Sequence, residues 1–153
     1  MAKVLVIDDE PSIATLVAEI IEGYGHHVSI AFNGLQGLEF IKENKFDLII
    51  SDIMMPHITG LELLYFVRSN AQLNSTHFVL MSAVAHLSNL ENKYQPEDFL
   101  VKPFDITRID EIVQKFLPET DAHSFFNSSI SFDFPFRGNV NNSSFSREFG
   151  ETG

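Results

Sequence analysis

Short apolar runs alternate with amphipathic stretches along most of this chain. The runs lack the polar alternation of a half-exposed strand. This lack of alternation is typical of strands buried on both faces of a parallel sheet. Most of them lead directly into Asp, Ser or Lys residues. The predicted strands are Lys3–Asp8, His27–Phe32, Leu48–Ile50, Phe78–Ser82 and Asp98–Val101.

Helices are predicted between and after these strands. Pro11 suits the first turn of the first helix, and Ser12 with Asp9 offers oxygen atoms that can cap it. Thr59 is expected to cap the helix that follows the third strand, and Asp105 the last helix. The residues expected to face inward are Ile13, Leu16, Val17, Ile20, Ile21, Leu38, Ile41, Leu61, Leu64, Val67, Ile109, Ile112, Val113 and Phe116.

The alternation of strand and helix predicts an α/β fold. Right-handed crossovers then favour a doubly wound, five-stranded parallel sheet with strand order 2-1-3-4-5. The exception is Ala85–Pro96, where apolar residues are sparse and Tyr94-Gln95-Pro96 breaks any helix early.

The composition changes after Leu117, where Ser, Asn, Gly and Phe become frequent and helical spacing ends. We therefore expect one domain over residues 1–117 and an irregular, disordered tail over residues 118–153. Within the tail, apolar residues alternate with polar ones from Ile130 to Phe136, which leaves a partner-binding strand as the alternative.

The composition also excludes several classes of function. The chain has no cysteine, so disulfides, thiol catalysis and thiolate zinc sites are excluded. The formal net charge of −11 argues against general affinity for nucleic acid or anionic lipid. The apolar run at Val4–Ile7 is too short for a signal peptide, and no run approaches the roughly 18 apolar residues of a membrane span. We expect a soluble, cytoplasmic protein.

Polar side chains stand where four of the predicted strands end: Asp8 and Asp9, Asp52, Ser82 and Lys102. The carboxyl ends of parallel strands share one edge of the sheet, where ligands bind in open α/β folds. Converging carboxylates repel one another unless a cation lies among them, and oxygen ligands favour Mg²⁺. One carboxylate can then attack a phosphoryl group whose oxygens are stabilised by the lysine and the hydroxyl.

Four motifs carry a resemblance to a known family: VIDDEP at 6–11, SDIMMPHITG at 51–60, MSA at 81–83 and DFLVKPF at 98–104. Over residues 1–117 the chain resembles the receiver domain of two-component response regulators. The resemblance implies the flavodoxin-like receiver fold, a histidine kinase or histidine phosphotransfer protein as partner, and Mg²⁺ as cofactor.

The resemblance also implies a role for particular residues. Asp52 would accept the phosphoryl group from a phosphohistidine. Asp8, Asp9 and Asp52, with the Met54 carbonyl, would hold Mg²⁺. Lys102 would act catalytically by pairing with the phosphate, and the bond from Lys102 to Pro103 is expected to be cis.

The phosphate-binding and switch residues implied by the resemblance are Ser82, Ala83, Lys102 and Phe99. Ser82 would move toward the phosphate, and Phe99 occupies the position of the family's switching aromatic residue. A buried core phenylalanine is an equally good interpretation of Phe99 alone.

Two departures from the family pattern affect the output surface. The stretch from Ser82 to Lys102 is about two residues short, and Gln95-Pro96 replaces the usual Gly-Ala. These changes put the family's fourth helix in question. The segment after Leu117 is acidic and unpatterned, unlike a DNA-reading helix pair.

Three classes of function fit these residues. The first is a single-domain response regulator that signals through phosphorylation-dependent contacts with an unidentified downstream protein. The second is a phosphorelay intermediate that passes its phosphoryl group to a histidine phosphotransfer protein. The third, an aspartyl phosphohydrolase, is disfavoured because Met54 stands where that class needs an acid, so we expect no enzyme acting on a separate substrate.

Overall fold

The computed structural model describes residues 1–83 and 94–118. Strands and helices alternate along these residues, as the apolar pattern predicts. In chain order the elements are β1 (Lys3–Ile7), α1 (Pro11–Gly23), β2 (His27–Ala31), α2 (Gly34–Glu43), β3 (Leu48–Asp52), α3 (Gly60–Ser69), a 3-10 turn (Ala71–Leu73), β4 (His77–Ser82), β5 (Asp98–Val101) and α4 (Ile106–Phe116).

The strands form one five-stranded sheet in the order β2-β1-β3-β4-β5, and every neighbouring pair is parallel. This arrangement confirms the doubly wound α/β fold expected from the sequence. The register aligns Asp52 at the end of β3 with Met81, one residue before the end of β4. The carboxyl ends of the strands therefore meet along one edge of the sheet.

Two apolar layers cover the two faces of the sheet. Val4 and Val6 belong to the layer that includes the inner residues of α1 and α4. Leu5 and Ile7 belong to the layer that includes the inner residues of α2 and α3. All four are completely buried, so β1 contributes to both layers. Burial on both faces explains why the strand sequences show no polar alternation.

The first helix differs from the prediction in two details. Its N-cap is Glu10, which makes no side-chain capping hydrogen bond, so neither Ser12 nor Asp9 caps it as expected. Leu16 is 43% exposed, while the small residues Ala14 and Ala18 are buried with the larger apolar residues of the helix. The prediction of Leu16 as an inner residue was wrong because small side chains complete the buried stripe of this helix.

The fifth strand is tied to the fourth beyond both of its ends. At the beginning, the Glu97 N–H donates to the Phe78 carbonyl, and its carboxylate accepts from the Phe78 N–H and from the Arg68 guanidinium. At the end, the Lys102 N–H donates to the Ser82 carbonyl at 2.7 Å. These bonds fix the position of Lys102 relative to β4.

Several expectations concern residues outside the described ranges. They are the fourth helix of the family within Ala85–Pro96, of which residues 85–93 are not described, and the tail beyond Pro118. The boundary after Leu117 and the disorder of the tail stay predictions. Across residues 1–83 and 94–118, no helix has both the length and the apolar character needed to cross a membrane.

Candidate functional site

Asp52 lies at the carboxyl end of β3, where a tight loop folds back over the strand. The Gly60 N–H donates to the Ile53 carbonyl, and a Cβ atom at Gly60 would lie only 2.2 Å from the Asp52 carbonyl oxygen. Thr59 caps α3 as predicted, in a reciprocal pair of hydrogen bonds with Glu62. The backbone of this loop is therefore closely constrained, and the Asp52 side chain is only 8% exposed.

Three carboxylates converge at this edge of the sheet. One oxygen from each of Asp8, Asp9 and Asp52 lies within 4.8 Å of the other two. Asp8 is completely buried, whereas Asp9 is exposed. The Glu10 N–H donates to Asp8 Oδ1 at 2.9 Å, which orients the buried carboxylate. The structure thus brings together the acidic residues that the sequence places at separate strand ends.

Lys102 supplies a positive charge to this cluster. Its Nζ donates to Asp8 Oδ2 at 2.7 Å and lies 3.3 Å from Asp52 Oδ2. The side chain is 11% exposed, and the Lys102–Pro103 peptide bond is cis, as the resemblance implied. The Lys102 ammonium is therefore shared between Asp8, which follows β1, and Asp52, which ends β3.

Burial and charge shift the protonation of both central groups. The pKa of Asp52 is raised, first by burial and then by the negative charge of Asp8, against the opposing effects of Lys102 and a backbone hydrogen bond from Met54. Burial opposes the charge on Lys102, but its hydrogen bond to Asp8 and the charges of Asp8 and Asp52 raise its pKa overall. The ionised form of Asp52 is consequently disfavoured, and an added positive charge nearby would stabilise it.

The donor set of the cluster fits a hard divalent cation. Its ligand atoms are carboxylate oxygens, and one ammonium group stands against three carboxylates. Oxygen ligands favour Mg²⁺ or Ca²⁺ over the softer transition metals. The cluster can therefore hold a divalent cation directly beside Asp52.

The remaining predicted site residues occupy different environments. Ser82 ends β4 and is buried, Ala83 follows it at an exposed position, and the Met54 side chain is 73% exposed. Phe99 pairs with Leu80 in the neighbouring strand, and Val101 pairs with Ser82. Because side chains two apart share a face, Phe99 lies on the same face of the sheet as Ser82. It is partly buried against the apolar layer of α2 and α3.

Sequence reasoning missed Glu10. Its Oε1 lies 3.7 Å from Lys102 Nζ, and its side chain is 61% exposed. The signal was present in the VIDDEP motif, where Glu10 directly follows the two aspartates and precedes Pro11. An acidic residue at the start of a helix is usually interpreted as stabilising the helix end. The contact of Glu10 with Lys102, 92 positions away, was therefore not predicted.

The family described as "Response regulator receiver domain" matches residues 4–114. The chain belongs to the response regulator receiver family. This receiver is 33% identical to response regulator ArlR of Staphylococcus saprophyticus over 113 residues, which are 71% of this chain and 49% of ArlR.

Two further comparisons extend along nearly the whole of smaller proteins. The receiver is 30% identical over 118 residues to sporulation initiation phosphotransferase F of Bacillus subtilis, covering 76% of this chain and 94% of that protein. It superposes on the Thermotoga maritima response regulator TrrA, solved in complex with Mg(2+)-BeF, with a TM-score of 0.69 and 32% identity. That match covers 76% of this chain and 100% of TrrA.

Coverage differs sharply between these relatives. The receiver spans about half of ArlR and 28% of the transcriptional regulatory protein ZraR of Klebsiella oxytoca. The family and the fold are thus shared with larger regulators, while their activities as whole proteins belong to those proteins.

Replacing Asp52 with Asn is expected to stabilise the receiver in metal-free buffer at neutral pH. The substitution removes a buried charge and its repulsion by Asp8, so we expect the melting temperature to rise by roughly 2–6 °C. The wild-type penalty is complete above the raised pKa of Asp52, shrinks as the pH falls through it, and disappears below the ordinary value of 3.8. Thermal unfolding of both proteins across this pH range measures the difference.

The control is Asp9→Asn, which removes the same charge from an exposed position in the same cluster. It should stabilise the protein less, since burial is the largest cause of the shift at Asp52. A lower melting temperature for Asp52→Asn at neutral pH would contradict this account.

Proposed function

We propose that this receiver is the phosphoacceptor of a two-component pathway and that Asp52 takes the phosphoryl group from the phosphohistidine of a kinase. The observation that carries the proposal is the position of Asp52: buried, grouped with two further carboxylates, and 3.3 Å from the Lys102 ammonium. A strand-end aspartate in these surroundings is arranged for charge chemistry at its own carboxylate. The family to which the chain belongs supports the same conclusion.

The reaction needs a nucleophile and positive charge around the transferred group. A carboxylate oxygen of Asp52 attacks phosphorus and forms an acyl phosphate, while the phosphorus–nitrogen bond of the donor breaks and the donor imidazole takes up a proton. Lys102 turns from the carboxylates to the phosphoryl oxygens, which makes it the catalytic cation. We propose that the Ser82 hydroxyl donates a hydrogen bond to the same oxygens.

Asp8, Asp9, Asp52 and the Met54 carbonyl are the proposed ligands of Mg²⁺. When bound, the ion supplies positive charge that offsets the carboxylates and the oxygens of the incoming phosphoryl group. The acidic cluster supports this assignment, as does the similarity to TrrA, whose structure was solved in complex with Mg(2+)-BeF. The Met54 side chain has no proton to give, so we propose a phosphoacceptor and not a hydrolase of separate substrates.

We propose that the output is a phosphorylation-dependent contact with a downstream protein in the cytoplasm. Movement of Ser82 toward the phosphate, with Ala83 following it, would leave space on the face of the sheet that Phe99 also occupies. Phe99 can then turn inward and alter the surface around β5. The shared face of Ser82 and Phe99 supports this switch.

A phosphorelay intermediate is the second candidate. The specific observation in its favour is the match to sporulation initiation phosphotransferase F, which extends over 94% of that protein. In that role the acyl phosphate on Asp52 would pass its phosphoryl group to a histidine of a phosphotransfer protein. The same residues would serve both roles, so chemistry at Asp52 alone does not separate them.

Phosphorylation at Asp52 is the first test. Incubation with acetyl phosphate and Mg²⁺ should add one phosphoryl group to Asp52, because Asp8, the other aspartate beside Lys102, is completely buried and already accepts from the Glu10 N–H and the Lys102 ammonium. Intact mass spectrometry measures the addition. Asp52→Asn should remain unlabelled, and labelling of that variant to the wild-type extent would place the acceptor elsewhere.

Metal binding can be tested through stability. Mg²⁺ should raise the melting temperature, since a ligand at 100 times its dissociation constant stabilises a fold by about 2.7 kcal/mol. Asp9→Ala should lose this response, because an exposed ligand is removed while the buried pair of Asp8 and Lys102 stays intact. Asp47→Ala, at the opposite end of β3, is the control that should keep the response. An unchanged shift in Asp9→Ala would locate the ion outside the cluster.

A transfer assay separates the two candidate roles. The receiver labelled on Asp52 is mixed with a histidine phosphotransfer protein, and both proteins are followed by intact mass. For an output regulator we expect the label to remain on Asp52 until it is hydrolysed, with none on the second protein. Rapid appearance of the label on the phosphotransfer protein would instead establish the relay.

A further inference from the structure

The Lys102 ammonium is surrounded by carboxylates at three depths. Asp8 is completely buried at 2.7 Å, Asp52 is 8% exposed at 3.3 Å, and Glu10 is 61% exposed at 3.7 Å. The first two belong to the cluster that fits a cation, whereas Glu10 lies outside it. Glu10 therefore approaches the ammonium from the solvent side, through which a phosphodonor must enter.

The local backbone explains how Glu10 comes to lie there. It is the N-cap of α1, with an extended conformation (φ −93°, ψ 104°), and its N–H is used by Asp8 Oδ1. Its carboxylate makes no capping hydrogen bond to the helix. Capping of the helix therefore does not explain why the Glu10 carboxylate lies near Lys102. The helix dipole does favour a negative charge at this end of α1.

The charge of Glu10 has two effects that act in the same direction. A phosphoryl group arriving at Asp52 has to draw Lys102 away from its carboxylates, and Glu10 competes for that ammonium. Glu10 also adds a negative charge at the entrance, which repels a phosphodonor in proportion to the donor's own charge. Both effects would slow the reaction with a free, doubly charged donor.

We propose that Glu10 is a specificity-determining residue that selects against small dianionic phosphodonors by restraining Lys102 and repelling the donor. This inference rests on the proposed phosphorylation of Asp52. A protein donor brings binding energy from its own docking surface and overcomes this repulsion, whereas a free acyl phosphate has no such compensation.

The test compares donors of different charge on the full chain with saturating Mg²⁺. Acetyl phosphate carries two negative charges near neutral pH, and phosphoramidate carries a smaller net charge. Glu10→Gln should be phosphorylated about two- to fivefold faster than wild type by acetyl phosphate, the range set by an exposed ion pair. The gain should be smaller with phosphoramidate, and it should shrink at high ionic strength.

Two controls separate charge from structure. Glu19→Gln makes the same change at an exposed position of α1 and should leave both rates unchanged. Glu10→Asp keeps the charge and should retain most of the slow reaction with acetyl phosphate. Melting temperatures of the variants confirm that each is folded.

The outcomes distinguish this inference from the function on which it rests. If wild type is labelled on Asp52 but Glu10→Gln is no faster, or is faster by one factor with both donors at every salt concentration, Glu10 has no such role. If wild type is labelled by neither donor, the phosphoacceptor function and this inference both fail. A donor-dependent, salt-sensitive gain in Glu10→Gln alone supports it.

Discussion

The ion pair between Lys102 and Asp8 is the interaction on which the whole edge of the sheet depends. It joins residues 94 positions apart, and both side chains are nearly or completely buried. Removing one partner of a buried pair typically costs about 3–5 kcal/mol, because the other charge is left uncompensated. The pair therefore links the carboxyl ends of β1 and β5, which are not neighbours in the sheet. It also leaves Asp52 between an ammonium that favours its charge and an aspartate that opposes it.

Much of this arrangement follows from local sequence. Strands buried on both faces appear as unbroken apolar runs, so the ends of β1, β3 and β4 were predictable to within two residues. Parallel pairing then brings their polar ends to one edge without further information. The Thr59 cap was equally predictable, since a hydroxyl three residues before Glu62 forms the reciprocal capping pair. The order of strands and the convergence of the acids needed nothing beyond these rules.

Other features depend on contacts that no local pattern encodes. Leu16 has helical spacing suited to the core, yet the buried stripe of α1 is completed by alanines. Tyr24 is buried, and its hydroxyl donates a hydrogen bond to Asp110, 86 positions away. Neither residue alone predicts this contact. Glu10 escaped notice for the same reason. In each case the contact is made by tertiary packing between residues far apart in the chain or on different elements. Local sequence patterns therefore do not predict it.

The bonds at both ends of β5 have a consequence for how the chain can diverge. Glu97 anchors the strand to Phe78 and Arg68 before it begins, and Lys102 is held to Ser82 after it ends. The backbones of Ser82 and Lys102 are thus tied to each other directly, and not only through the residues that connect the two strands. We expect this connection to be about two residues shorter than the family pattern, and the cis bond and the ion pairs of Lys102 are present beside it. Insertions and deletions in that connection can therefore change the surface that a partner contacts while Ser82 and Lys102 keep their positions.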